Sequence, residues 1–141
     1  MTLPAPNSAA KRPPARDLKF PNNFLWGIST SAYQVEGGRA DSQWEAWEEA
    51  GRIKSGDRRG LACDWWHNAE RDFDLASGLG LNAVRFSVEW SRLEPQEGAW
   101  DGQAVARYRA MLTGLRQRGI HPIICLHHFS HPLWFERKGG F

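Results

Sequence analysis

The sequence has few cysteines, no long apolar run at its start and little net charge, and each scarcity excludes a class of protein. Only two of 141 residues are cysteine, and Cys63 and Cys125 stand too far apart for a zinc-type ligand spacing. We expect both to be free thiols. A net charge of +2 argues against nucleic acid or an anionic membrane as a partner.

The first twenty residues contain prolines and scattered charges but no apolar run of seven residues. This composition predicts neither a signal peptide nor a membrane span there. We therefore expect residues 1–18 to form a disordered leader and the protein to be cytoplasmic.

Apolar periodicity predicts strands that alternate with helices. Strands are expected over residues 25–30, 82–90 and 120–127. The continuous apolar run over residues 123–126 predicts that the third strand is buried on both faces. Ser42 and Glu45 form a capping box for a short helix that ends before Gly51. Asp64 is the expected cap of a second helix, with a buried stripe that includes Trp66, and Asp101 is the expected cap of a third.

This order predicts an α/β fold with right-handed crossovers and a parallel sheet. Three strands suit either a doubly wound sheet or a (β/α)8 barrel. In the second strand Arg85, Ser87 and Glu89 share one face, because side chains alternate along a strand. A charged row fits a barrel interior that opens into a polar site better than a face covered by helices.

The run from Phe24 to Gly38 reads FLWGISTSAYQVEGG and resembles the N-terminal signature of glycoside hydrolase family 1, the β-glucosidase and 6-phospho-β-glucosidase family. The resemblance continues through Cys63 and Asp64 and through residues 84–92 and 119–122. It implies a TIM barrel, of which residues 19–141 supply the N-terminal part: three parallel strands with helices. The barrel is incomplete, since a TIM barrel has eight strands and about 250 residues.

The resemblance implies a retaining β-glycosidase that hydrolyses terminal β-linked sugars by double displacement, without a cofactor or metal. The family places its catalytic glutamates in Asn-Glu-Pro and Glu-Asn-Gly contexts, and neither context occurs here. We therefore assign no catalytic carboxylate and expect the chain alone to be inactive. The alternatives are a non-catalytic truncated product or sugar-binding remnant, and another barrel glycosidase such as a β-galactosidase.

The resemblance places four residues of this sequence at family positions in the active site. Gln34 would bond sugar hydroxyls, His128 would bond the same sugar, and Phe129 replaces a family tryptophan and keeps an apolar wall. Arg85 would support the absent nucleophile. Three of them have a structural alternative: a loop cap for Gln34, a backbone contact for His128, and a buried ion pair for Arg85.

Other polar residues are given smaller roles. Glu36 and Glu89 lie near strand ends, but we do not pair them as acid and base; Glu36 is expected to bond backbone or an arginine, and Glu89 has no assigned role. His127 and His128 would point to opposite faces of a strand and so do not predict a metal site. Trp134 fits the entrance of a site and a loop anchor equally well.

Overall fold

A computed structural model of the chain describes residues 19–38 and 40–141, so the leader expected over residues 1–18 lies outside the described residues. Within these residues, three parallel strands form one sheet in the order β1-β2-β3. The register aligns Gly27 with Ala83 and Arg85 with Ile123. The parallel α/β arrangement is confirmed, with β1 at Gly27–Ser29, β2 at Ala83–Ser87 and β3 at His121–Cys125.

In the described part of the chain, two long helices and four short ones accompany the sheet. No helix among residues 19–38 and 40–141 combines the length and the apolar character that a membrane span requires. A one-turn helix follows each strand, and none of these three was predicted. The helices are α1 Ala32–Val35, α2 Gln43–Glu49, α3 Trp65–Gly78, α4 Trp90–Leu93, α5 Gly102–Gln117 and α6 Leu133–Glu136.

All three expected residues stand at helix N-caps, and two of them make the expected side-chain bonds. The Ser42 side chain accepts from the Glu45 backbone N–H at 3.3 Å, and Asp101 accepts from two N–H groups of the first turn of α5. Asp64 stands at the N-cap of α3 as predicted, but its side chain does not bond the backbone of the first turn. Asp64 has a left-handed φ of 49° and makes no capping bond; its carboxylate bonds His67 and Asn68 instead.

The core lies between β2 and the helices α3 and α5. Val84 and Phe86 of β2 are buried against these helices, together with Phe73 and Met111. The predicted stripe of α3 is wrong at its first position, because Trp65 fills the core. Trp66, which was expected at that position, is half-buried and packs its ring edge-on against Tyr108.

Two predictions about the strands need correction. The strand expected over residues 82–90 ends at Ser87, because Glu89 becomes the N-cap of α4 and accepts from the Ser91 N–H. The apolar run after residue 122 was expected to be buried on both faces, yet Ile123 and Ile124 are 39% and 42% exposed. Within the described residues β3 is an edge strand that pairs only with β2.

Candidate functional site

A cavity of about 270 Å³ lies where β1 and β3 end. Parallel strands present their carboxyl ends at one edge, so the loops that follow β1 and β3 meet there. The cavity brings together Gln34, His128 and Phe129, three of the four predicted site residues, and leaves Arg85 outside its wall. The remaining lining residues are Ser31, Tyr33, Trp44, Glu48 and Ile53.

Gln34 lies in α1, the one-turn helix after β1. Its Oε1 accepts a hydrogen bond from the Ser31 hydroxyl, and within the described residues its Nε2 has no hydrogen-bond partner. The start of α1 is tied to β2, because the Ala32 N–H donates to Ser87 Oγ at 2.7 Å. The helix is therefore fixed to the sheet while the donor end of the Gln34 amide stays available at the cavity.

Tyr33 and Glu48 form a polar part of the wall. The Tyr33 hydroxyl donates to Glu48 Oε1 at 2.8 Å, and the Arg59 guanidinium lies 4.0 Å from the centre of the Tyr33 ring. Burial and the bond to Glu48 raise the pKa of the Tyr33 phenol, so it remains a proton donor. Trp44 adds an aromatic ring 6.3 Å from that of Tyr33.

Sequence reasoning did not identify Trp44, Glu48 and Ile53 as lining residues. They belong to α2 and the segment after it. The capping box located α2 itself, but no local pattern indicated which face would turn toward the loop after β3.

His128 and Phe129 form the opposite wall, in the loop after β3. The two rings lie 5.1 Å apart and nearly perpendicular. His128 is half-buried and Phe129 is 72% exposed, so an aromatic face is open to a ligand. Phe129 also has a φ of 64°, which is uncommon for a residue with a side chain.

Arg85 lies in the middle of β2, on the face that does not pack on the helices. Its Nη1 donates to Ser29 Oγ of the neighbouring strand at 3.1 Å. Among residues 19–38 and 40–141 it forms no ion pair, so the structural alternative of a buried pair has no partner in the described part of the chain. Most of its guanidinium donors remain open.

Glu36 and Glu89 are both buried and both engaged. Glu36 is 1% exposed and accepts from Arg92 Nε at 2.9 Å and from the Tyr108 hydroxyl at 2.6 Å, which confirms the expected arginine contact. Glu89 accepts from the hydroxyls of Ser91 and Ser130. Neither carboxylate lines the cavity, which supports leaving both out of an acid and base pair.

The free energy of unfolding is expected to depend on pH because of Glu36. Burial raises the pKa of Glu36 from 4.5 to about 7, although Tyr108 and Arg92 act to lower it. The folded state thus holds the Glu36 proton more tightly than the unfolded state, and this contribution is full below pH 4.5 and is lost as pH rises through about 7. Between these values the free energy of unfolding should fall by up to about 1.4 kcal/mol per pH unit.

Urea unfolding at pH 5, 6 and 7 measures this slope. Glu36→Gln should flatten it, because the amide does not titrate. Glu49→Gln, at an exposed position of α2, should keep the slope of the unchanged protein. Parallel pH profiles for the unchanged protein and the Glu36 variant would contradict the assignment.

Trp134 anchors a loop and does not line the cavity. Its indole N–H donates to the Glu94 carbonyl at 2.9 Å, and its ring packs perpendicular to Trp90 at 5.7 Å. Both cysteines are free thiols, as expected. In the part of the chain that the structure describes, no three His, Cys, Asp or Glu side chains are grouped to hold a metal.

Comparison with known proteins gives consistent matches. The sequence pattern of the family described as Glycosyl hydrolase family 1 matches residues 16–141. Beta-glucosidase A of Thermotoga maritima is 33% identical over 130 residues, which are 87% of this chain and 29% of that protein. The coniferin beta-glucosidase of Pinus contorta is 37% identical over 86% of this chain and 25% of its own length.

Solved structures agree with the sequence matches. The beta-glycosidase from Pyrococcus horikoshii superimposes with a TM-score of 0.81 at 46% identity. The match covers 87% of this chain and 29% of that one. The chain thus spans about 25–29% of the length of these relatives.

Proposed function

Because this chain belongs to glycosyl hydrolase family 1, we propose that it forms the sugar-binding part of a retaining β-glycosidase that hydrolyses terminal β-linked sugars by double displacement. The observation that carries the proposal is the cavity shared by Gln34, His128 and Phe129 at the carboxyl ends of parallel strands. Barrel enzymes build their active sites at this end of the sheet. The substrate class is a small β-glycoside or a β-linked oligosaccharide.

Gln34 and His128 would hold one sugar ring between them. An amide offers two donors and an acceptor, so Gln34 can contact two neighbouring hydroxyls even while Oε1 accepts from Ser31. A ring nitrogen of His128 would bond the same sugar from the opposite wall. The exposed face of Phe129 would cover the apolar C–H face of the ring.

Arg85 would support the nucleophile rather than touch the sugar. Retaining glycosidases use two carboxyl groups about 5–5.5 Å apart, one as the acid and base and one as the nucleophile. The open donors of Arg85 on the inner face of β2 support a role beside the nucleophilic carboxylate. A guanidinium there would keep the carboxylate ionised and fix its orientation.

The test uses an aryl β-glucoside and the full-length gene product that contains this sequence. We expect that product to release the phenol and to retain the anomeric configuration, which proton NMR of the first sugar product reports. Residues 1–141 alone should show no turnover. Binding of glucose without hydrolysis by the full-length product would favour the non-catalytic alternative, and inversion would refute the retaining mechanism.

Turnover by residues 1–141 alone would test whether Glu36 or Glu89 is a catalytic acid. If it disappeared in Glu36→Gln or Glu89→Gln, one of these two buried acids would be catalytic and our account of the carboxylates would be wrong. We expect no such activity, because their oxygens already accept bonds from Arg92, Tyr108 and serine hydroxyls.

We also propose that the enzyme acts in carbohydrate metabolism in the cytoplasm. The two free thiols support a reducing compartment. Cell fractionation followed by immunoblotting tests this location, and recovery of the protein outside the cell would refute it.

A further inference from the structure

The loop that carries His128 and Phe129 adopts a backbone conformation that needs support. Phe129 has a left-handed φ of 64°, which costs a residue with a side chain about 1–2 kcal/mol. The ring of Phe129 is mostly exposed and contributes little burial to offset this cost. Other contacts of the loop must therefore hold the turn.

Gln43, the first residue of α2, contacts the loop at Phe129 and at His131. Its side-chain Nε2 donates to the Phe129 carbonyl, and its Oε1 accepts from the His131 N–H at 2.8 Å. Its own backbone N–H donates to the His131 carbonyl at 3.1 Å. The Gln43 side-chain amide therefore makes the donor and acceptor contacts with this loop that the backbone of a neighbouring strand would otherwise make.

Glu89 contacts the same loop from the end of β2. Its Oε2 accepts from the Ser130 hydroxyl at 2.8 Å, and Glu89 and Ser130 are both fully buried. The other oxygen accepts from the Ser91 hydroxyl at 2.7 Å, and the Glu89 N–H donates to Tyr108 Oη at 2.7 Å. Because each part of Glu89 is engaged, it offers Ser130 a fixed acceptor.

Neither Gln43 nor Glu89 lines the cavity, yet Gln43 contacts Phe129 and His131, and Glu89 contacts Ser130 between them. We propose that Gln43 and Glu89 are positioning residues, which hold the loop between them and so fix His128 and Phe129 against Gln34. This inference rests on the proposed function for its effect on sugar binding. Its structural part, the two-sided hold on the loop, is independent of any activity.

The experiment compares three variants of the full-length gene product by amide hydrogen exchange. Gln43→Leu removes both side-chain bonds to the loop, Ser130→Ala removes the contact with Glu89, and Gln117→Leu is a control at an exposed glutamine of α5. Exchange over residues 128–131 should rise about tenfold in each of the first two variants. The amides of α5 should keep their protection, and Gln117→Leu should match the unchanged protein.

Kinetics on an aryl β-glucoside supply the readout that a purely structural role would not move. Gln43→Leu and Ser130→Ala should raise KM and lower kcat/KM about tenfold, with global unfolding midpoints close to that of the control. If one of the two does not fold, the other tests the same loop. Unchanged exchange over residues 128–131, or faster exchange with unchanged kcat/KM, would overturn the proposal.

Absence of hydrolysis by the unchanged protein would refute the proposed function instead. The exchange data would then decide the two-sided hold by themselves, since they require no substrate. The two failures are therefore distinguishable.

Discussion

Replacing Arg92 with methionine is expected to lower the free energy of unfolding at pH 8 by about 3–5 kcal/mol. Arg92 Nε donates to Glu36, whose carboxylate is almost completely buried, and removal of the guanidinium leaves that charge without its counter-ion. The guanidinium also lies 4.4 Å from the centre of the Trp66 ring. Urea unfolding at fixed pH measures the change.

Two comparisons separate loss of the ion pair from loss of packing. Arg118→Met removes a surface pair with Asp74 and should have a far smaller effect. The double variant Arg92→Met with Glu36→Gln should recover much of the lost stability, because no buried charge remains. The loss in Arg92→Met should also shrink toward pH 5, where Glu36 takes up a proton. Equal losses in Arg92→Met and Arg118→Met would contradict this account.

Gln34→Ala is expected to lower kcat/KM for an aryl β-glucoside by about 10–100-fold in the full-length gene product. The alanine removes the amide that would contact two sugar hydroxyls, and such contacts accelerate hydrolysis when they strengthen in the transition state. Most of the loss should therefore appear in kcat rather than in KM. Steady-state kinetics with the purified variant measure the split.

Gln117→Ala provides the matched control for this variant, since it truncates an exposed glutamine of α5 far from the cavity. Its kcat/KM should equal that of the unchanged protein. An unchanged kcat/KM in Gln34→Ala would show that Gln34 does not bind the sugar, even if the full-length protein hydrolyses β-glycosides.

The parts of the fold that could be predicted from sequence are those determined by residues close together in the chain. Ser42 and Asp101 cap their helices through bonds that span two or three residues. The one-turn helices α1, α4 and α6 were not predictable, since each is shorter than one repeat of an apolar stripe. They depend on distant partners, such as Ser87, which holds the start of α1 from 55 residues away.

The candidate site also has a part that could be predicted from sequence and a part that could not. Gln34, His128 and Phe129 were found through a resemblance, and the cavity that joins them became visible only in the structure. The bond from His131 to Gln43 spans 88 residues and that from Tyr108 to Glu36 spans 72. No periodicity reports contacts across such separations, so these partners could not be read from the sequence.

The one-turn helices at the strand ends have a consequence for how substrate preference can change. Each is too short to be stable by itself and is held by a few contacts to its neighbours. The packed interior around Phe73, Val84 and Met111 lies on the other side of β2. If the proposed function holds, mutations in α1 and in the loop after β3, which line the cavity, can therefore change substrate preference while the packed core remains the same.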